Sequence, residues 1–379
     1  MQEEKFPYID RLDETVLDEA ILRFGTPTYV FDVEQAKKRA RAFRGIIGQA
    51  ADLCYAMKAN PFLVRAMAEE VNRIEVCSMG EFRICKQKEI PAEKLLISGV
   101  MKDRDDLWEI LETYGNRCHY TIESLNQYAI LNEWARSSGK KVPVYLRLTS
   151  GNQFGMDEET LTNIVELEQD KDLLEICGIH YFSGTQKKRK KTLEELTYLD
   201  EVFARLKEKT GYQVTELEYG PGLAVPYFAR QADERFETLE AIADSLAKMQ
   251  WQGKVTLEMG RAFVADCGYY ITTVKDTKRS GDQNYCIIDG GMHQVNYDGQ
   301  IRGMYQPKLT IRPQGARGIY QNWTICGELC TGNDILVQNI KIDDLRVGST
   351  IIFENTGAYA VTEGMALFLS HVLPSVVLY

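Results

Sequence analysis

Histidine is scarce in this chain, with four in 379 residues. None stands at metal-ligand spacing from another histidine or from a cysteine pair, so the sequence offers no metal site. No apolar run is long enough to cross a bilayer. Met1 to Asp10 lack the apolar core of a secretory signal, and the expectation is a cytoplasmic protein without membrane attachment. The nine cysteines are odd in number and scattered through apparent strands and helices, which fits reduced thiols rather than a disulfide framework. Excess positive charge is missing too: a formal charge of −10 argues against nucleic acid or an anionic membrane as partner. There are no repeats and no low-complexity tracts.

What is present suits two ordinary globular domains, with 44% apolar and 26% charged residues. One basic run, Lys187-Lys188-Arg189-Lys190-Lys191, reads as a solvated loop after a strand, or as a docking surface for an acidic partner.

Hydrophobic period defines the organisation. Residues 1–26 read as a short amphipathic lead closed by Gly25-Thr26-Pro27, and 28–33 as a strand. Helices are then expected over 34–47, 62–71, 80–88, 103–114, 124–137, 158–168, 193–210 and 236–249. Strands are expected up to Lys58 and over 74–77, 95–98, 118–122, 142–148, 176–182, 215–218 and 255–258. Eight strands separated by helices favour an α/β fold, a parallel (β/α)8 TIM-type barrel, over an open sheet. After Gly260 the pattern becomes short extended runs at 263–274, 285–288, 309–311, 323–326, 335–336, 350–353 and 375–379. A helical period returns only at 363–371, so this part reads as a C-terminal β domain. The expected division is 1–33 as an N-terminal segment joining the β domain, 34–261 as the barrel and 262–379 as the β domain.

The stretch Cys54-Tyr55-Ala56-Met57-Lys58-Ala59-Asn60-Pro61 delivers one lysine to the carboxyl end of a strand, where α/β architectures bind ligands. With an apolar approach, such a lysine is desolvated enough to act as an amine nucleophile and form a Schiff base. On these residues alone a solvated strand-end lysine is the better reading.

The run Tyr-x-Met-Lys-Ala-Asn-Pro resembles the lysine segment of the alanine-racemase-like, fold-type III enzymes that use pyridoxal 5′-phosphate, in particular the diaminopimelate and ornithine decarboxylase family. The resemblance recurs in order along nearly the whole chain. It implies Lys58 as the coenzyme-binding catalytic lysine. Gly220-Pro221-Gly222 resembles the phosphate loop, with Pro221 in place of a glycine. Glu258-Met259-Gly260-Arg261 resembles Glu-Pro-Gly-Arg, which implies a carboxylate facing the pyridine nitrogen and Gly260 and Arg261 near the phosphate. Related racemases carry an arginine at the glutamate position, so Glu258 favours decarboxylation.

His180-Tyr181-Phe182-Ser183-Gly184-Thr185-Gln186 resembles His-x-His-Ile-Gly-Ser-Gln. It implies that His180 and Phe182 lie against the coenzyme ring and that Thr185 supplies a phosphate-binding hydroxyl. Phe182 stands where relatives have a second histidine; it stacks but does not titrate. Arg147 matches the arginine of the fifth barrel strand, or is a buried arginine paired within the barrel. Thr356-Gly357-Ala358-Tyr359 resembles the late segment whose tyrosine binds the phosphate.

Cys330-Thr331-Gly332-Asn333-Asp334 resembles the Cys-Glu-Ser-Gly-Asp run that, in diaminopimelate decarboxylases, reaches across a dimer interface. The resemblance implies a homodimer with shared active sites and Cys330 as the acid that reprotonates Cα. Thr331 stands where relatives place an acidic residue for the substrate's distal ammonium. A cationic substrate would lose that contact, typically about 1.5–3 kcal/mol. Asp289-Gly290-Gly291-Met292 resembles the family's Asp-Gly-Gly-Met; His293, Arg302 and Tyr305 follow it and, with Thr331 and Asp334, are candidate substrate contacts. Gln153-Phe154-Gly155-Met156-Asp157, Ser183-Gly184-Thr185-Gln186, Val225-Pro226-Tyr227-Phe228 and Cys330-Thr331 look most like the branch that includes a butirosin-pathway enzyme acting on a carrier-linked glutamyl group.

The implied activity is α-decarboxylation of a small amino acid, free or carrier-linked, in secondary metabolism. The alternatives left open are an amino-acid racemase of the same fold and a non-catalytic coenzyme-binding protein. Residues 262–379 speak against the latter.

Overall fold

The computed structural model describes residues 12–313, 315 and 318–379; the first eleven residues of the expected lead lie outside the described residues. The chain forms two compact units. One comprises Ala40–Ala224 and Glu234–Ala262, the other the residues up to Arg39, Val225–Asp233 and Phe263–Tyr379. The stretch 225–233, expected within the barrel run, belongs to the second unit.

The first unit is a closed barrel of eight parallel strands. They are Asp52–Ala56, Arg73–Val76, Leu95–Ile97, His119–Ile122, Val142–Arg147, Leu174–Phe182, Glu216–Gly220 and Lys254–Met259. Closure comes from the last strand pairing with the first, with Leu257 opposite Leu53 and Glu258 opposite Cys54. Helices between the strands start where the sequence offers a side-chain acceptor. Ser78, Asp103, Ser124 and Asp157 each accept the amide three residues on, a cap worth about 1 kcal/mol. Outward-facing Leu53, Tyr55, Ile74, Leu146, Ile179 and Leu257 are fully buried, since each strand is covered by helices.

The interior of the barrel is polar rather than layered with aliphatic residues. Arg73 Nη1 donates to Glu218 Oε2 at 2.6 Å and to the Tyr145 hydroxyl at 2.9 Å. This buried ion pair ties three strands together across the lumen.

The second unit is a sheet ordered Leu309–Arg312, Thr350–Glu354, Gly268–Ser280, Gln283–Ile288, Tyr320–Cys326 and Ile335–Asp343. Thr28–Phe31 pairs antiparallel with Gly268–Ile271 and parallel with Ser375–Leu378, so residues from both ends of the sequence enter this sheet. Leu17 and Ala20 of the helix Glu14–Phe24 pack with Val30, Tyr269, Ile271 and Ile352.

Three expectations are corrected. Residues 263–267 are not extended: Arg261–Val264 is helical, Ala265–Cys267 is a 3-10 turn, and the strand runs from Gly268 to Ser280. At this corner Gly357 lies so close to the Val264 carbonyl that a Cβ would collide with it. The helix expected over 363–371 is only a 3-10 turn at Phe368–Ser370. Gly364 is pressed against the His293 carbonyl, and Leu369 and Ser370 take φ of 56° and 58°, outside any right-handed helix. The basic run is only partly a solvated loop: Lys188, Arg189, Lys190 and Lys191 are exposed, but Arg189 opens a helix that continues to Thr210 and the Lys187 side chain is buried.

Candidate active site at the barrel mouth

The first barrel strand ends in a 3-10 turn, Met57–Ala59, held by Asn60. Asn60 Oδ1 accepts the Phe62 amide at 3.1 Å, and its carbonyl accepts the Tyr55 hydroxyl at 2.8 Å. The turn fixes Lys58 so that its Nζ lies 3.0 and 3.3 Å from the two oxygens of Glu75 and 3.6 Å from Cys77 Sγ. The Lys58 side chain is 36% exposed, whereas that of Glu75 is 2% exposed. Cys77 donates to Glu75 Oε1 at 2.9 Å, and burial followed by the Glu75 charge pushes its thiol well above the ordinary range. Cys77 is thereby held as a neutral donor.

His180 Nε2 lies 3.0 Å from Glu258 Oε2, and both side chains are almost wholly buried. Burial alone would raise the Glu258 carboxyl. The His180 hydrogen bond and the positive charges of His180, Lys58 and Arg147 outweigh it and hold the group below the usual carboxylate range. Phe182 stands at the end of the His180 strand, its ring centroid 5.9 Å from Lys58 Nζ. Gly220 backs that ring closely enough that any Cβ there would strike it.

Arg147 Nη1 pairs with Glu123 Oε1 at 3.0 Å, and its guanidinium carbon lies 4.8 Å from the Phe154 ring centroid. Arg147 is thus ion-paired within the barrel. Lys102 Nζ is 3.6 Å from the same Glu123 oxygen, and burial brings its ammonium down to about 8.

The Gly220-Pro221-Gly222 turn is braced from one side. Gly222 has φ of +61°, and a Cβ on it would run into the Gly184 carbonyl and the Lys187 side chain. Lys187 Nζ donates to Gly220 O at 3.2 Å, Ser183 Oγ at 3.1 Å and Glu195 Oε2 at 2.5 Å. Thr192 Oγ1 holds the Pro221 carbonyl at 3.2 Å. Thr185 is exposed beside this turn, and Gly260 and Arg261 follow the last strand.

Lys58, Arg147, His180, Phe182 and Glu258 therefore converge at the carboxyl end of one barrel. The residues that sequence reasoning missed as site residues are Glu75, Cys77, Lys102, Glu123 and Glu195. Glu75 and Glu123 were legible as acidic residues in or just after barrel strands, but which cation each would face depends on strand register; Cys77, Lys102 and Glu195 gave no such local signal.

The second unit carries its own group. Cys330 is exposed. Thr331 Oγ1 accepts the Asn333 amide at 3.4 Å. Asp334 is buried and accepts the amides of Met292 at 2.7 Å and Leu329 at 2.9 Å, so its carboxylate orders two loops. His293 is buried; Arg302 and Tyr305 are exposed, Arg302 with φ of 53° and the Tyr305 ring 5.1 Å from that of Phe228. Tyr359 has φ of 62°, and its carbonyl accepts the amides of Thr362 and Glu363.

The barrel residues fit pyridoxal phosphate by their chemistry. An amine for its aldehyde carbon, an ionised carboxylate for its ring nitrogen and a glycine-lined turn for its phosphate are all present. Among the described residues the buried polar atoms His180 Nδ1, Arg147 Nε and Glu123 Oε2 have no hydrogen-bond partner, so the mouth keeps donors and an acceptor for a polar ligand.

Comparison with known proteins agrees. The family model described as "Pyridoxal-dependent decarboxylase, pyridoxal binding domain" matches residues 33–265. An L-glutamyl-[BtrI acyl-carrier protein] decarboxylase of Niallia circulans is 26% identical, over 96% of this chain and 91% of its own. A diaminopimelate decarboxylase of Aquifex aeolicus is 27% identical, over 93% and 88%. Among solved structures, a lysine/ornithine decarboxylase of Vibrio vulnificus superimposes with a TM-score of 0.85, covering 98% of this chain and 100% of its own at 21% identity. With a barrel mouth whose side chains fit the coenzyme, a family model over residues 33–265 and relatives aligned almost end to end, this chain belongs to the pyridoxal-dependent decarboxylases and uses pyridoxal 5′-phosphate as its cofactor.

Proposed function

We propose that this decarboxylase removes the α-carboxylate of an amino acid whose distal end bears no free ammonium group, with a carrier-linked acyl group as the preferred form. The observation that carries the reading is the ionised Glu258, buried between His180 and the cations of Lys58 and Arg147. A carboxylate that stays charged at neutral pH holds a pyridine nitrogen protonated. When bound, the coenzyme supplies an electron sink for the pair released as CO2 departs.

The roles of the side chains follow from that arrangement. Lys58 would bind the coenzyme through its amine, which Glu75 positions at the end of the strand. Phe182 and His180 flank the ring, while Arg147 and Glu123 fix its edge. The 220–222 turn, Thr185, Gly260, Arg261 and Tyr359 hold the phosphate. Cys330, exposed in a tight turn, returns a proton to Cα from a second copy of the chain in a homodimer. His293, Arg302, Tyr305, Thr331 and Asp334 shape the substrate end. Thr331 is uncharged, which supports a substrate with no distal cation, and the name of the 26%-identical Niallia circulans relative supports a carrier-linked one. The reaction belongs to the cytoplasm and to secondary metabolism.

The test is CO2 release from free glutamate, free diamino acids and the same amino acids loaded on a carrier protein, each enantiomer in deuterated water. The reading expects CO2 from a carrier-linked substrate and one deuteron at Cα of the amine product. Isotope exchange with no CO2 from either enantiomer indicates a racemase instead.

A further inference from the structure

Three segments of the second unit bring together His293, Glu328 and His371, whose ligand atoms all lie within 4.8 Å of one another. Glu328 Oε1 is 3.4 Å from His293 Nε2 and 3.2 Å from His371 Nδ1. The first separation is beyond, and the second at the limit of, an ordinary hydrogen bond between a carboxylate and an imidazole. They match the edge of a tetrahedron around a zinc ion: bonds of about 2.0–2.1 Å place neighbouring ligands roughly 3.3–3.4 Å apart. The His293 side chain is only 1% exposed, and among the described residues neither of its ring nitrogens has a hydrogen-bond partner of good geometry. A buried imidazole aimed at a carboxylate and a second imidazole, with both nitrogens unsatisfied, asks for a ligand.

The frame around the three residues is fixed one bond away from each. Asp334 accepts the Met292 amide at 2.7 Å and the Leu329 amide at 2.9 Å, clamping together the segments that carry His293 and Glu328. Gln294 Nε2 donates to Val372 O at 3.0 Å, fastening the His293 segment to that of His371. Gln294 Oε1 is itself held by the Tyr270 hydroxyl at 2.8 Å. Such outer contacts orient ligands before an ion arrives.

We propose that His293, Glu328 and His371 form a binding site for a divalent transition metal of the zinc type, with two nitrogens and one carboxylate oxygen as protein ligands and one position open to water or a substrate carboxylate. Chain spacing hid it, because the three residues come from separate loops. The proposal is independent of the barrel chemistry.

The experiment is zinc binding to chelator-stripped holoenzyme by competition with a chromogenic indicator, with thermal melting as a second readout. Wild type is expected to bind one zinc ion per chain and to melt at higher temperature with zinc than without. Glu328→Gln and His371→Gln, both at partly exposed positions where folding is retained, are expected to weaken binding about 100-fold and to lose the shift. Cys330→Ser, which removes the nearby thiol, is expected to bind as wild type. No stoichiometric binding to wild type, unchanged affinity in both ligand variants, or loss of binding in Cys330→Ser would each overturn the site.

Discussion

Glu218 and Glu258 stand on neighbouring strands of one barrel, both buried, and they titrate in opposite directions. Glu218 faces the Arg73 guanidinium at 2.6 Å, yet burial, with the Glu258 charge adding to it, leaves its carboxyl above the ordinary range. Glu258 has a hydrogen bond from His180 and the charges of Lys58 and Arg147, and it lies below that range. Register sets the difference. Thr256 is the residue opposite Glu218, so Glu258 sits two residues nearer the carboxyl end of its strand, where the cations gather. The deeper pair holds strands together, and the shallower carboxylate is kept charged for chemistry.

Each substitution below tests one side of that contrast. Removing a cation at the mouth is expected to have the largest effect: Lys58→Ala lowers turnover by about a thousandfold or more, roughly 4 kcal/mol, and abolishes the visible absorption of lysine-bound coenzyme. Unchanged absorption would break the assignment. Arg73→Met strands Glu218 without its cation and is expected to cost about 3–5 kcal/mol in a denaturant titration, with turnover per folded molecule close to wild type. Glu258→Gln acts on both, with kcat down roughly 100-fold and the denaturation midpoint lowered at neutral pH, where the charged Glu258 contributes to stability.

The two carboxyls also give opposite pH signatures. Glu218 has its folded pKa above the ordinary value of 4.5, so the folded state takes up a proton first. Acidification from neutrality towards 4.5 therefore adds stability through this group, and Glu218→Gln is expected to lose that gain. Glu258 has its folded pKa below the same reference. Its contribution is present above about 4.5 and lost only as pH falls through the folded value. Denaturation curves between pH 7 and 4 for the two variants separate these. Ser124→Ala, a cap distant from either carboxyl, is expected to cost only about 1 kcal/mol and to leave both signatures in place.

The barrel was legible in the sequence because short β-friendly runs alternate regularly with helical periods, and four of the helices announce themselves with Ser or Asp caps. Lys58, His180 and Glu258 were legible as polar residues at strand ends within motifs. Glu75 and Glu123 were not, because their partners Lys58 and Arg147 come from other strands and only closure of the sheet makes them neighbours. The Lys187 side chain was misjudged for a related reason: its charge reads as solvated until Glu195, one helical turn and more away, folds back over it. In the second unit, the expected helix over 363–371 failed because Gly364 packs against the His293 backbone, a contact between distant segments that no local period reveals.

The central claim is that Glu258 stays ionised and thereby keeps the coenzyme's ring nitrogen protonated. Nitrogen-15 NMR of holoenzyme carrying coenzyme labelled at that nitrogen tests it most directly. The account predicts a protonated-pyridine shift in wild type at neutral pH and an unprotonated one in Glu258→Gln. An unprotonated nitrogen in the wild-type enzyme, or the same protonated shift in both proteins, would contradict it.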